Sequence, residues 1–120
     1  NININIIHED IFRINSKQFN RFDYVIEYTC FCAIDPGKRL EYIKIMNEIL
    51  KENGELIGLF LPILKDKNDG GPPFAIDLDE TINQFSTYFE VIESFKHPLS
   101  IEPRKENEQY IHFKKKSLQE

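Results

Sequence analysis

Between Phe22 and Pro62 the chain reads as one connected unit: an apolar, β-rich stretch, FDYVIEYT, a helix-start signal at Asp35 and Pro36, an amphipathic segment, and a nearly unbroken apolar run, GELIGLFLP. Asp accepts hydrogen bonds from free amides at a helix start, and Pro at the first helical position loses none. At 100° per residue, Tyr42, Ile43, Ile45, Met46, Ile49 and Leu50 fall within roughly 160° of arc, with Glu41, Lys44, Glu48, Lys51 and Glu52 opposite. The spacing predicts a helix from Pro36 to about Glu52, ended by Gly54 in the left-handed conformation. A strand as uniformly apolar as GELIGLFLP is the signature of a parallel strand covered by helices on both faces. Strand, helix, strand is therefore a crossover unit, which commits the chain to an α/β sheet.

The flanks add elements to that unit. NININI alternates Ile2, Ile4 and Ile6 with asparagines, the period of a strand with one wet face, and predicts an edge or near-edge strand. KDKNDGGPPF is a loop by composition, and Asp77 to Glu80 predicts a capped helix reaching about Thr87. FEVIESF and QYIHFKK read as two late strands whose connection is too short for a crossover helix, so the last is expected to run antiparallel.

Composition removes several function classes. The 120 residues carry 20 acidic and 15 basic side chains, a formal charge of -5, which leaves no overall positive field for a nucleic-acid backbone. The longest apolar run, Leu56 to Leu64, contains Gly58 and Pro62 and is about half of a membrane span, so a soluble chain without a secretory signal is expected. Cys30 and Cys32, the only cysteines, are too close for an ordinary bridge and read as reduced thiols in a cytoplasmic setting. Asp66 to Asp77 matches a calcium loop in length but lacks its closing glutamate, and His8, His97 and His112 show no ligand spacing.

Four segments in order, FDYVIEYTCFCAIDPGKR, GELIGLFLP, GGPPF and IEPRKENE, give a further handle. Together, over about Ile4 to Lys114, they resemble the thiopurine methyltransferase superfamily, in particular its thiol and halide methyltransferase branch. The resemblance implies an α/β fold: the C-terminal part of a Rossmann-like class I methyltransferase sheet, mostly parallel with an antiparallel last strand. It implies S-adenosyl-L-methionine as cofactor, with Asp10, Ile11 and Tyr28 as cofactor-binding positions. A carboxylate at Asp10 would accept from the adenine amino group, Ile11 would pack on the ring, and an aromatic ring at Tyr28 would favour a sulfonium charge. Capping of a turn by Asp10 and core packing of Tyr28 are the plain alternatives.

Phe31, Cys32, Pro73 and Phe74 are the candidate apolar acceptor wall, with packing or loop stiffening as the alternative. Arg104 would attract an anionic acceptor such as a thiolate or halide, or else pair with a nearby glutamate; Arg39 reads as a structural fork to a carboxylate. Methyl transfer is an in-line displacement in which alignment and desolvation outweigh a general base, and no Ser/His/Asp or Cys/His arrangement is visible.

The family's glycine-rich cofactor loop and the acidic strand end that follows it have no counterpart among Gly37, Gly54, Gly58, Gly70 and Gly71 and their surroundings. The chain is thus expected to be a single partial domain over residues 1–120, inactive alone, with the edge of Asp23 to Tyr28 paired by NININI, by a second copy, or by the missing half. Three positions depart from the family: Glu27 for a usual aspartate, Leu61 for a frequent aromatic, and KENE for a KGRE-like ending. The expected function is methyl transfer to a small thiol, halide or related sulfur acceptor; a non-catalytic α/β module assembling through its sheet edge is the alternative.

Overall fold

The computed structural model describes residues 2–117. Four strands, β1 (Phe22–Tyr28), β2 (Leu50–Phe60), β3 (Phe89–Phe95) and β4 (Gln109–Lys115), form one sheet in the order β1-β2-β4-β3. The helix α1 (Arg39–Ile49) connects β1 to β2, which pair in parallel, and α2 (Leu78–Phe85) precedes β3. β4 is antiparallel to both of its neighbours, so β1, β2 and β3 share one direction and only the last strand opposes them. This is the crossover unit and the reversed last strand that the sequence predicts.

Register assigns the two faces of the sheet. Val25 and Glu27 lie level with Leu56 and Gly58, which in turn face Phe113 and Ile111. Val25, Leu56, Ile111 and Phe113 share one core with Tyr42, Ile43, Met46 and Ile49 of α1 and Phe85 of α2, so both helices cover this face. Gly58 leaves room for the Phe60 ring: an added Cβ would lie 2.6 Å from Phe60 Cε2. The other face carries Tyr24, Ile26 and Tyr28 beside Glu55, Ile57 and Leu59. Its β2 residues are half-buried, so the expected cover on both faces of β2 is present on one only.

Three further expectations are corrected. Residues 2–7 form no strand and Ile4 is 76% exposed, so NININI does not pair with Asp23–Tyr28; among the described residues β1 has β2 alone as neighbour. Alternation gives a segment two unlike faces but does not specify a ladder partner, so the period alone leaves the pairing undecided. Asp10, just beyond this segment, caps the short 3-10 turn Ile11–Arg13.

The helix α1 stops at Ile49 rather than near Glu52, because the chain turns extended at Leu50 and its last carbonyls find tertiary partners. Asn20 and Arg21 amides donate to Glu48 and Ile49 carbonyls at 2.8 and 3.0 Å, and the Lys115 ammonium donates to the Asn47 and Leu50 carbonyls at 2.8 Å each. The left-handed residue is Asn53, with φ 67°, not Gly54. Gly54 is needed for closeness instead: a Cβ there would lie 2.8 Å from the Lys51 carbonyl oxygen. The second helix follows its signal, the Asp77 side chain accepting from the Glu80 amide at 3.1 Å.

Candidate functional site

β1 and β2 run in parallel and end together at Tyr28 and Phe60, so the loops that follow them lie at the carboxyl edge where open α/β sheets bind ligands. β3 points the same way and delivers the connection 96–108 to that edge. Arg104, in the short turn Glu102–Arg104, donates through Nη1 to the Tyr28 hydroxyl and places its guanidinium carbon 5.5 Å from the Tyr28 ring centroid. Tyr28 and Arg104, 76 residues apart, thus form one exposed aromatic and cationic pair on the sheet face opposite α1. The Arg104 partner is this tyrosine, while Glu102 lies against Lys105 at 3.4 Å.

The turn after β1 is held from below. Glu27 is 3% exposed, and its Oε2 accepts from the Cys30 and Phe31 amides at 3.0 Å each, while its Oε1 accepts from the Tyr42 hydroxyl of α1. Between them Thr29 adopts φ 62°, a left-handed backbone that is unfavourable for a β-branched residue. The turn continues into Phe31 and Cys32, both buried in the core. The Cys32 carbonyl accepts from the Phe74 amide at 2.7 Å, which ties the GGPPF loop to this turn. Phe74 in turn rests on Gly71, where a Cβ would lie 2.6 Å from its ring.

Arg39 packs its guanidinium 4.9 Å from the Phe31 ring centroid and donates to the Ala75 carbonyl at 3.1 Å, and more weakly to that of Phe74 at 3.5 Å. Its partners are therefore backbone carbonyls rather than the expected carboxylate, because the loop carrying Phe74 folds back over the start of α1. A cleft of about 750 Å³ lies here, lined by Arg39, Lys65, Phe74, Asp77 and Glu80 among others. Pro73 does not line it; the Pro73 carbonyl accepts from the ammonium of Lys65, which does, at 2.7 Å.

The structure thus joins Tyr28 to Arg104 and joins Phe31, Cys32 and Phe74 to one another. Asp10 and Ile11 are placed by a different contact, the packing of their turn against α1, and the Asp10 carboxylate accepts from the Phe12 amide at 2.9 Å. Glu27 and Tyr42 escaped the sequence reading as a pair. The available signal was parity: Glu27 falls on the same alternating face as Val25, which marks a carboxylate pointing into the core.

Burial first, and then the Glu27 carboxylate, push the Cys30 and Cys32 thiols above the ordinary 9.0. Burial and Glu27 likewise push the Tyr42 hydroxyl above 10.0. In each case the folded state holds a proton that the unfolded chain releases at lower pH. Their contribution to stability is complete below about pH 8 and is lost as pH rises past the ordinary values and through the raised ones. Thermal melts between about pH 8 and about pH 11 should show a steady decline, shallower at its upper end in Tyr42→Phe. An unchanged decline in that variant would remove Tyr42 from the account.

The sequence and the fold both have counterparts among known proteins. The family model for thiopurine S-methyltransferase matches residues 1–119. A probable thiol methyltransferase 2 from Arabidopsis thaliana is 36% identical over 92% of this chain and 48% of its own length, and thiocyanate methyltransferase 1 from Brassica oleracea is 35% identical over 91% and 47%. The chain spans about half the length of these relatives. Among solved structures, the N-methyltransferase NodS from Bradyrhizobium japonicum, in complex with S-adenosyl-L-homocysteine, superposes with a TM-score of 0.69 at 13% identity, covering 91% of this chain and 53% of that one. An S-adenosylmethionine-dependent methyltransferase from Methanosarcina mazei gives 0.72 at 14%, covering 92% and 66%. These two, too distant to speak for chemistry, show the fold to be that of class I methyltransferases. With a matching model over nearly every residue and relatives identical at more than a third of positions, this chain belongs to the thiopurine S-methyltransferase family.

Proposed function

We propose that these residues are the C-terminal part of an S-adenosyl-L-methionine-dependent methyltransferase acting on a small thiol, halide or related sulfur acceptor, and that they are inactive alone. The observation that carries this reading is the Tyr28 and Arg104 pair at the carboxyl edge of β1, in a chain whose relatives are thiol and thiocyanate methyltransferases of twice its length.

The residues present fit one side of the cofactor. Tyr28 offers a part-exposed ring at the end of β1, and the chain's five glycines form no loop at that position to receive the amino-acid half. When bound, the cofactor supplies an electrophilic methyl group on a sulfonium sulfur. Tyr28 would hold it, with Asp10 and Ile11 on the adenine side. Arg104 would draw an anionic acceptor toward the same edge, its charge paired with no carboxylate in the hydrogen bonds it makes among the described residues. Phe31, Cys32, Pro73 and Phe74 would shape the acceptor side through the linked turn and loop, which exclude water and orient the nucleophile.

The remaining half of the domain, or a second copy, would pair with the free edge of β1, where Ile26 is 73% exposed, and cover the apolar face around Ile57 and Leu59. That bare edge also favours the second reading, a non-catalytic module that assembles through β1. Unbridged Cys30 and Cys32 suit a cytoplasmic setting, and among the described residues no helix is long and apolar enough to cross a membrane.

Calorimetric titration with S-adenosylhomocysteine, together with a turnover assay on thiocyanate and iodide, tests the reading. The chain alone should show no turnover and weak binding that Tyr28→Ala abolishes. Turnover by the chain alone overturns the inactivity, and binding indifferent to Tyr28→Ala removes Tyr28 from the cofactor wall. Absence of any heat, combined with a stable oligomer that Ile26→Lys dissolves in sedimentation, favours the assembling module.

A further inference from the structure

We propose that Glu27 is a positioning residue: its buried carboxylate fastens the left-handed turn at Thr29 and thereby sets where Tyr28 and Phe31–Cys32 stand, with Tyr42 holding the carboxylate in place. Calling these residues a binding wall rests on the function proposed above; the fastening itself does not.

Three donors from two elements converge on this one side chain, the Cys30 and Phe31 amides from the turn and the Tyr42 hydroxyl from α1. A carboxylate is the side chain that suits them, since it accepts on both oxygens and its charge strengthens each bond. Filling space on the core face beside Val25 would need only a leucine, and a leucine would carry no desolvation cost. What a leucine lacks is a partner for the two amides. Those amides directly follow the one residue of the turn in an unfavourable conformation, Thr29 at φ 62°, so that Glu27 and its two backbone donors enclose it from either side. Backbone of that kind persists only where its surroundings over-determine it.

The Thr29 hydroxyl donates to the Tyr28 carbonyl at 2.6 Å and the Cys32 thiol to the Thr29 carbonyl at 3.6 Å, so the turn also closes on itself. From Cys32 the position passes on to the GGPPF loop through the Phe74 amide. One carboxylate at the end of β1 therefore registers the turn against α1 and carries the loop with it.

The test is site-resolved amide hydrogen exchange on the chain, comparing wild type with Glu27→Leu, Glu27→Gln and Tyr42→Phe. In Glu27→Leu the Cys30 and Phe31 amides should exchange roughly 10 to 100-fold faster, the equivalent of losing charge-assisted bonds, while those of Phe60 and Phe113 keep their rates. Glu27→Gln should retain most of the protection, because its carbonyl oxygen can accept from the amides while its NH2 donates to the Tyr42 oxygen. Tyr42→Phe should give an intermediate, local increase.

Unchanged exchange at Cys30 and Phe31 in Glu27→Leu, or an equal acceleration across the sheet, overturns the proposal. If Glu27→Leu does not fold, the two conservative variants decide: a local increase in Tyr42→Phe with protection kept in Glu27→Gln supports it, and a uniform response in both overturns it. Calorimetry with S-adenosylhomocysteine on the same variants separates the layers. Faster local exchange with unaltered binding leaves the fastener standing and removes the wall reading. Loss of binding with unaltered exchange does the reverse.

Discussion

Phe85→Ala is expected to unfold the chain. Phe85 of α2 is fully buried and stacks face to face on Phe113 of β4, ring centroids 4.3 Å apart and 9° from parallel. Phe31, Phe60 and Phe89 surround it at 5.7, 5.8 and 5.6 Å. Truncation removes the ring that joins α2 to the sheet and to the turn after β1, and the neighbours are themselves rings that cannot collapse into the space. Such a change costs about 3 to 5 kcal/mol, with each lost aromatic pair contributing within that sum. A domain commonly has about 5 to 15 kcal/mol in all, and a sheet covered on one face belongs at the low end. Urea denaturation would show the loss as an absent or strongly shifted transition. Phe95→Ala, at a part-exposed ring on β3, should shift the midpoint far less. Equal midpoints for the two would contradict the placement of the core.

Lys115→Met should be the next most costly change, near 3 kcal/mol. Lys115 is 9% exposed, and its ammonium satisfies the Asn47 and Leu50 carbonyls where α1 turns into β2. Methionine keeps the apolar stem but donates nothing, so two buried acceptors at a helix end lose their partner, and with it the cation that favours the negative end of the helix. The measurement is the midpoint of thermal or urea unfolding, with Lys116→Met as control because that side chain is exposed. A shift no larger than the control's would mean that water replaces the ammonium without loss.

Much of the fold was legible because its signals are local. Asp35 and Pro36 open the helical segment as read, with the Asp35 carboxylate accepting from the Gly37 amide at 2.8 Å. Asp77 starts α2 in the same way, and the apolar stripe Tyr42, Ile43, Ile45, Met46 and Ile49 is the buried face of α1. The features that failed are those whose outcome depends on a partner distant in sequence. NININI has the pattern of a strand, yet its residues 2–7 join no ladder. Composition predicts the end of α1 just before Gly54, whereas Asn20, Arg21 and Lys115 end it earlier by taking carbonyls at its last turn.

The candidate site divides along the same line. Tyr28, Arg104, Cys32 and Phe74 stand out individually in their segments, but their grouping into a Tyr28–Arg104 pair and a Cys32–Phe74 tie comes from the sheet order and the folded loop. The sequence by itself determined the crossover unit, the helix starts, the reversed last strand and the family, because periodicity, capping and motif order act within a few residues. Only the tertiary structure decided where α1 stops, which face of the sheet is covered, that Arg39 serves carbonyls, and that Glu27 gathers three donors. Each of those depends on which unsatisfied groups the folded chain brings within hydrogen-bond reach, and no local pattern encodes that distance.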